Sequence, residues 1–264
     1  MKKTLFAMSS PISVMPSKTI AINIAMSVVI STVMSITGCV TVTDGDETPT
    51  KASSIDMAET RLALGLGYLE KGNMIRAREN LEKALKHAPN YYRTQLSMAH
   101  YYEAVGEPKS AENIYKTALR QHPKNGNVLN NYGTFLCKQG NVKQADEFFN
   151  RAVNQPYYYL ISGSYENAAL CALKAGNTVQ AKTYFKRALD HDPNRARSIL
   201  QLAKIEIEQQ EFTDARIRLM HFHQRFGLRA SSLTLLVELE KQAGNTALEK
   251  KYQRQLNDLI AQQS

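Results

Sequence analysis

Apolar residues return at helical spacing from about Asp56 onward. Leu62, Leu66 and Leu69 stand at i, i+4 and i+7, which places them on one face of a helix. Gly72-Asn73 breaks that helix, the pattern predicts a second over 74–87, and Pro89 stops it. The same arrangement then recurs. Small alanines pair at Ala77 and Ala84, Ala111 and Ala118, Ala145 and Ala152, and Ala181 and Ala188. The second alanines are spaced by 34, 34 and 36 residues. Between each pair stands a larger residue: Leu81, Tyr115, Phe149 or Phe185. A glycine precedes each pair, at Gly72, Gly106, Gly140 and Gly176. The alanines let two helices approach closely and the larger residue fills the gap between them. A fixed period of this kind means stacked units, each too small to bury a core alone.

The units are uneven. Two extra residues lie between the third and fourth, near 155–160. The fifth unit has Gln210 where glycine belongs and Phe222 in place of the second alanine, but keeps Ala203 and Ala215. The sixth keeps Gly244 and has Glu249 at an alanine position. Its last helix, 246–262, is polar, as suits a terminal cap with one face in water.

The positions of Gly65, Tyr68, Gly72, Ala77, Ala84 and Pro89, with their counterparts in the next three units, resemble the tetratricopeptide-repeat (TPR) signature. The resemblance implies an all-α fold: a right-handed superhelical solenoid of about six helix-turn-helix repeats within 56–264. The repeats fall at about 58–91, 92–125, 126–159, 162–195, 196–229 and a degenerate cap at 230–263. In such stacks the first helix of each unit lines a concave groove. The inward positions implied are Leu62, Leu66 and Leu69, then Leu96 and His100, then Asn127, Asn130 and Thr134. The groove is expected to be apolar at its amino-terminal end and polar in its middle. Leu62, Leu66, Leu69, Leu96 and His100 are therefore the expected partner-binding residues, for an amphipathic helix or extended segment. The competing reading is that the three leucines pack under the preceding segment or a neighbouring helix. The carboxylate clamp of chaperone-binding TPR proteins is rejected, because only Asn131 stands suitably, without its flanking Lys and Arg.

The amino-terminal region adds location. Residues 19–38 are a nearly uncharged apolar run preceded by Lys18. Ile36-Thr37-Gly38-Cys39 at its end resembles the lipobox of bacterial lipoproteins. That resemblance implies removal of 1–38 as a signal peptide and acylation of Cys39. Met15 opens a segment that would give a more usual signal length. Val40 follows the cysteine where an Asp would imply retention in the inner membrane, so the expected site is the outer membrane, facing the periplasm. Several acyl chains make a durable anchor, since each buried methylene contributes about 0.8 kcal/mol. Residues 39–55 are rich in Thr, Asp, Glu and Ser and read as a flexible tether.

Composition narrows the chemistry. The 264 residues carry a formal net charge of +9, with 43 % apolar and 22 % charged residues. Charges of both signs are interspersed, which argues against a nucleic-acid-binding stripe. The six histidines form no ligand set, and no nucleophile-base pair or phosphate-binding glycine loop stands at informative spacing. The reading is a non-enzymatic protein with no cofactor, no metal and no small-molecule substrate. Cys137 and Cys171 fall in the first helices of adjacent units. Either they form a disulfide, which the periplasm would favour, or they are buried thiols; Cα separation decides.

A lipobox, a short tether and about six TPR units together resemble the type IV pilus biogenesis/stability lipoprotein family, PilF/PilW. Two stretches carry the likeness: Asn130-Asn131-Tyr132-Gly133-Thr134-Phe135-Leu136-Cys137, and Glu166-Asn167-Ala168-Ala169-Leu170-Cys171-Ala172-Leu173-Lys174-Ala175-Gly176. Both cysteines fall inside them, which favours the disulfide. Ala169 stands where the family would favour Gly. The resemblance implies a pilotin, which binds the type IV pilus secretin subunit and brings it to the outer membrane through the lipid anchor. The alternative is a TPR scaffold lipoprotein for another envelope assembly, such as peptidoglycan synthesis or outer-membrane protein assembly.

Overall fold

A computed structural model describes residues 53–262 of the chain. Cys39, the apolar run before it and 40–52 lie outside the described residues. Among the described residues twelve helices pair into six hairpins. The first three pairs are α1 (Ser54–Glu70) with α2 (Met74–His87), α3 (Tyr92–Ala104) with α4 (Pro108–Gln121), and α5 (Gly126–Lys138) with α6 (Val142–Val153). Then come α7 (Ile161–Lys174) with α8 (Thr178–His191), α9 (Ala196–Glu208) with α10 (Phe212–Phe226), and α11 (Ala230–Gln242) with α12 (Thr246–Ala261). No strand occurs among the described residues, and none of their helices is long and apolar enough to cross a membrane.

α1 starts two residues earlier than the polar composition of 39–55 suggested. Ser53 Oγ accepts from the Asp56 amide at 3.1 Å, and the Asp56 carboxylate accepts from the Ser53 amide at 3.1 Å. This capping box satisfies two donors that a helix start leaves unpaired.

The hairpin turn is equally local. Gly72 has φ +73, its amide donates to the Leu69 carbonyl, and the Asn73 amide donates to Tyr68 at 2.9 Å. That is a Schellman ending, and Asn73 then caps α2 by accepting from the Arg76 amide. Gln210 occupies the same left-handed conformation at φ +59, with the Glu211 amide donating to Glu206 at 2.8 Å. The degraded fifth repeat therefore keeps its turn without glycine, at a steric cost that a Cβ imposes there. Gln210→Gly is expected to raise the unfolding free energy by about 1 kcal/mol, read as a higher denaturant midpoint with unchanged slope.

Packing follows the small residues. Ala77 and Ala84 are fully buried, and a Cβ at Gly65 would come within 2.7 Å of the Leu81 side chain. The core is a ribbon of clusters running along the stack. Leu62, Leu69, Leu81 and Met98 join the first two repeats, while Tyr115, Tyr132, Phe149 and Cys171 join the second to the fourth. Further along, Phe185 packs with Leu202 and Leu219 with Leu236. Repeats thus depend on their immediate neighbours. In the fifth, Phe222 is buried and its ring lies 4.8 Å from that of Phe226, filling space that a second alanine leaves to other groups elsewhere.

Candidate functional site: the groove of repeats one to three

The first helices of three repeats line a cavity of about 470 Å³. α1 contributes Leu66, α3 contributes Tyr92, Arg93, Leu96, Ser97 and His100, and α5 contributes Asn127 and Asn131. Tyr159 completes it from the linker between α6 and α7. Leu66, Leu96 and His100 thus meet in one groove.

Leu62 and Leu69, expected beside them, do not. Leu62 is 2 % exposed and Leu69 is also buried, both in the cluster that joins α1 to α2 and α3. The reason is the width of the apolar stripe. Its centre faces the neighbouring helices, and only its edge, at Leu66, reaches the groove. Asn130 and Thr134 are not in the lining either. The Asn130 carbonyl accepts from Thr134 Oγ1 at 3.0 Å and its side-chain oxygen from Asn167 at 3.1 Å, tying α5 to α7.

The polar members are held from behind. Glu59 on α1 accepts from Arg93 at 2.8 Å and from the Tyr91 hydroxyl at 2.6 Å. Burial and the hydrogen bond to Glu59 push the Tyr91 phenol up, so it stays a donor. Asn131 Nδ2 donates to the Asn127 carbonyl at 2.8 Å, which orients that amide across the groove wall. Deeper down, Glu103 accepts from the Tyr115 hydroxyl at 2.7 Å and from Lys138 at 2.8 Å, linking repeats two and three. Burial, then the Glu103 charge, pushes the Tyr115 phenol far above its ordinary value. Among the described residues no carboxylate lines the cavity, so its surface presents amides, hydroxyls, Arg93 and His100 beside the leucines.

Tyr159 was not among the expected site residues. It comes from the two-residue insertion, where three tyrosines stand in a row. Tyr158 is buried, with its hydroxyl 2.8 Å from Ser164 Oγ, and its ring lies where a Cβ at Gly126 would overlap it. Tyr157 has φ +61 and is exposed. Tyr158 acts as the plug that aims Tyr159, 80 % exposed, over the groove. The triple tyrosine was the available signal; its direction depends on the fold.

Behind the groove, Cys137 on α5 and Cys171 on α7 form a disulfide with Cα atoms 5.8 Å apart. Lys174 also donates to the Cys137 and Lys138 carbonyls at 3.3 and 3.1 Å. The bridge spans a sequence separation of 34 residues. Loop closure of that length is worth roughly 3–4 kcal/mol in the chain-entropy model. Cys137→Ala with Cys171→Ala is expected to lower stability by about that amount and to remove the sensitivity of the unfolding midpoint to dithiothreitol.

Comparison with known proteins agrees with this architecture. The tetratricopeptide repeat family matches residues 58–91, 102–156 and 172–221. The type IV pilus assembly protein PilF of Pseudomonas aeruginosa is 34 % identical over 208 residues, covering 78 % of this chain and 82 % of that protein. An uncharacterized protein of Haemophilus influenzae is 42 % identical over 118 residues, or 45 % of this chain and 66 % of that one. The solved structure of Pseudomonas aeruginosa PilF has a TM-score of 0.67 at 32 % identity, covering 78 % of this chain and 93 % of its own. That of PilW, a type IV pilus biogenesis factor, has a TM-score of 0.67 at 25 % identity, covering 77 % and 94 %. By repeat pattern, by sequence along most of both chains and by superposition, the chain belongs to the PilF/PilW family of tetratricopeptide-repeat proteins of type IV pilus biogenesis.

Proposed function

We propose that this protein is a non-enzymatic pilotin. It is anchored in the outer membrane through acylated Cys39, faces the periplasm, and receives a segment of the type IV pilus secretin subunit in its groove. The groove of repeats one to three is the observation that carries the reading. Leu66, Leu96, Tyr92 and Tyr159 offer apolar and aromatic surface, while Asn127, Asn131 and Ser97 offer hydrogen-bonding groups. A segment with apolar side chains on one side and main-chain groups on the other suits that combination. The relationship to PilF supports a pilus assembly as the setting. The apolar run ending at Cys39 supports the anchor. With the receptor held at the membrane, the partner's search becomes two-dimensional and its effective concentration rises.

Deletion of the gene is expected to abolish heat-resistant secretin multimers in the outer-membrane fraction and twitching motility. Wild-type protein should restore both and Leu66→Asp should restore neither. Normal multimers in the correct membrane without this protein would end the pilotin reading, and a defect confined to peptidoglycan or outer-membrane protein assembly would put the scaffold reading in its place. Cys39→Ser should lose labelled palmitate and leave the membrane fraction. Undiminished label would overturn the anchor.

A further inference from the structure

Among the second helices of the repeats, α10 differs on its outer surface. Ile217 and Met220 are each 49 % exposed on it, and Leu228, 45 % exposed, lies just past its end. By comparison α2 and α8 each expose one large apolar residue, Ile75 and Val179, and α4 and α6 expose none. Residues 217, 220, 221 and 224 share one helix face by their i, i+3, i+4, i+7 spacing.

Beside this stripe lies a cleft of about 210 Å³. Leu189, Ile199 and Phe222 give it apolar walls, and Arg218, His221 and Arg225 stand around it. Arg218 is committed through Nε and Nη2 to Glu206 at 2.8 and 2.7 Å, leaving Nη1. Arg225 Nη1 donates to the Pro193 carbonyl at 3.3 Å, and Arg229 Nε to the Phe226 carbonyl at 3.2 Å. Among the described residues neither Arg225 nor Arg229 is in an ion pair, and no carboxylate lines the cleft. The cleft rim at His221 and Arg225 is therefore basic and apolar at once, with the exposed Asp214 two turns toward the start of α10.

We propose that α10 and this cleft dock onto an anionic phospholipid surface. Arg225, His221 and the free Nη1 of Arg218 receive head-group phosphate, while Ile217, Met220 and Leu228 enter the acyl boundary. Charge complementarity selects the ligand: the Arg225 guanidinium, without a carboxylate partner, matches phosphate, the spare Nη1 of the Glu206-paired Arg218 adds a donor, and the exposed aliphatic side chains beside them match lipid rather than water. The contact is separate from the groove and does not depend on acylation at Cys39.

The chain contains no tryptophan, so a single introduced Trp reports on one place. The full chain carrying Met220→Trp is mixed with vesicles of brominated phosphatidylcholine, alone or with phosphatidylglycerol. Fluorescence should be quenched at least twofold with phosphatidylglycerol and little without it. Val179→Trp, on the outer surface of α8, should stay unquenched. Adding Arg225→Glu and His221→Glu to Met220→Trp should abolish the quenching at unchanged helical circular dichroism. Equal quenching at both Trp positions, or none at 220 in anionic vesicles, would overturn the proposal. So would full reversal by millimolar inorganic phosphate, which would make the cleft a site for the free anion. Loss of acylation at Cys39 leaves this result standing, so the two readings fail separately.

Discussion

Leu62→Asp is expected to melt the first repeat and spare the groove's more distant wall. Leu62 is almost completely enclosed with Leu69, Leu81 and Met98. A carboxylate there loses its hydration and gains no cation, and the methyl groups it replaces leave a gap. Each of these defects costs several kcal/mol, so a loss of about 4 kcal/mol or more is expected. In a linear stack such damage stays close to where it occurs. Amide exchange should accelerate across α1 and α2, 17 and 14 residues long, with a matching fall in helical circular dichroism. The disulfide-linked pair α5 and α7 should keep its protection. Leu66→Asp makes the opposite pattern. Leu66 is half-buried at the groove rim, so its substitution should cost about 1 kcal/mol, keep the helical signal and, under the proposed function, remove secretin capture. Equal protection of α1 in the two variants would contradict the division between core and groove.

That division shows what the amino-acid pattern could reveal. The period of alanines and glycines identified the hairpins, because close helix contact and a left-handed turn each restrict residue type locally. Even so, Gln210 shows the turn outlasting its glycine, held by the same two amide bonds. The three leucines of α1 were legible as one face, but helical spacing does not say which part of a wide apolar face meets a neighbour. Only the placement of α2 and α3 assigns Leu62 and Leu69 to the core. Tyr159 was illegible for a different reason. Its direction comes from a linker whose path is set by Tyr158 against Gly126, a contact about thirty residues apart in sequence. The cysteines could be placed in neighbouring helices, and the Cα separation supplied the rest.

The carboxylates of Glu206 and Glu240 were also missed, since an acid on a helix ordinarily reads as a solvated position. Both are buried, and both are held by α10. Arg216 reaches Glu240 on α11 through Nε and Nη2 at 2.7 and 2.8 Å, while Arg218 reaches Glu206 on α9. The two arginines project to opposite neighbours: Arg216 joins the fifth repeat to the sixth, and Arg218 joins the two helices of the fifth, each by paired hydrogen bonds where the signature residues have been lost. Arg216→Met is expected to cost about 3–5 kcal/mol, because the Glu240 side chain, 0 % exposed, keeps its charge and loses its fork of donors. For a domain of this size that lowers the melting temperature by about 10 °C or more. The double substitution Arg216→Met with Glu240→Leu removes the stranded charge as well and should recover most of the loss. A double-mutant cycle measures the difference. If the double variant is as unstable as Arg216→Met alone, the arginine's aliphatic packing, and not the buried charge it satisfies, holds α10 against α11.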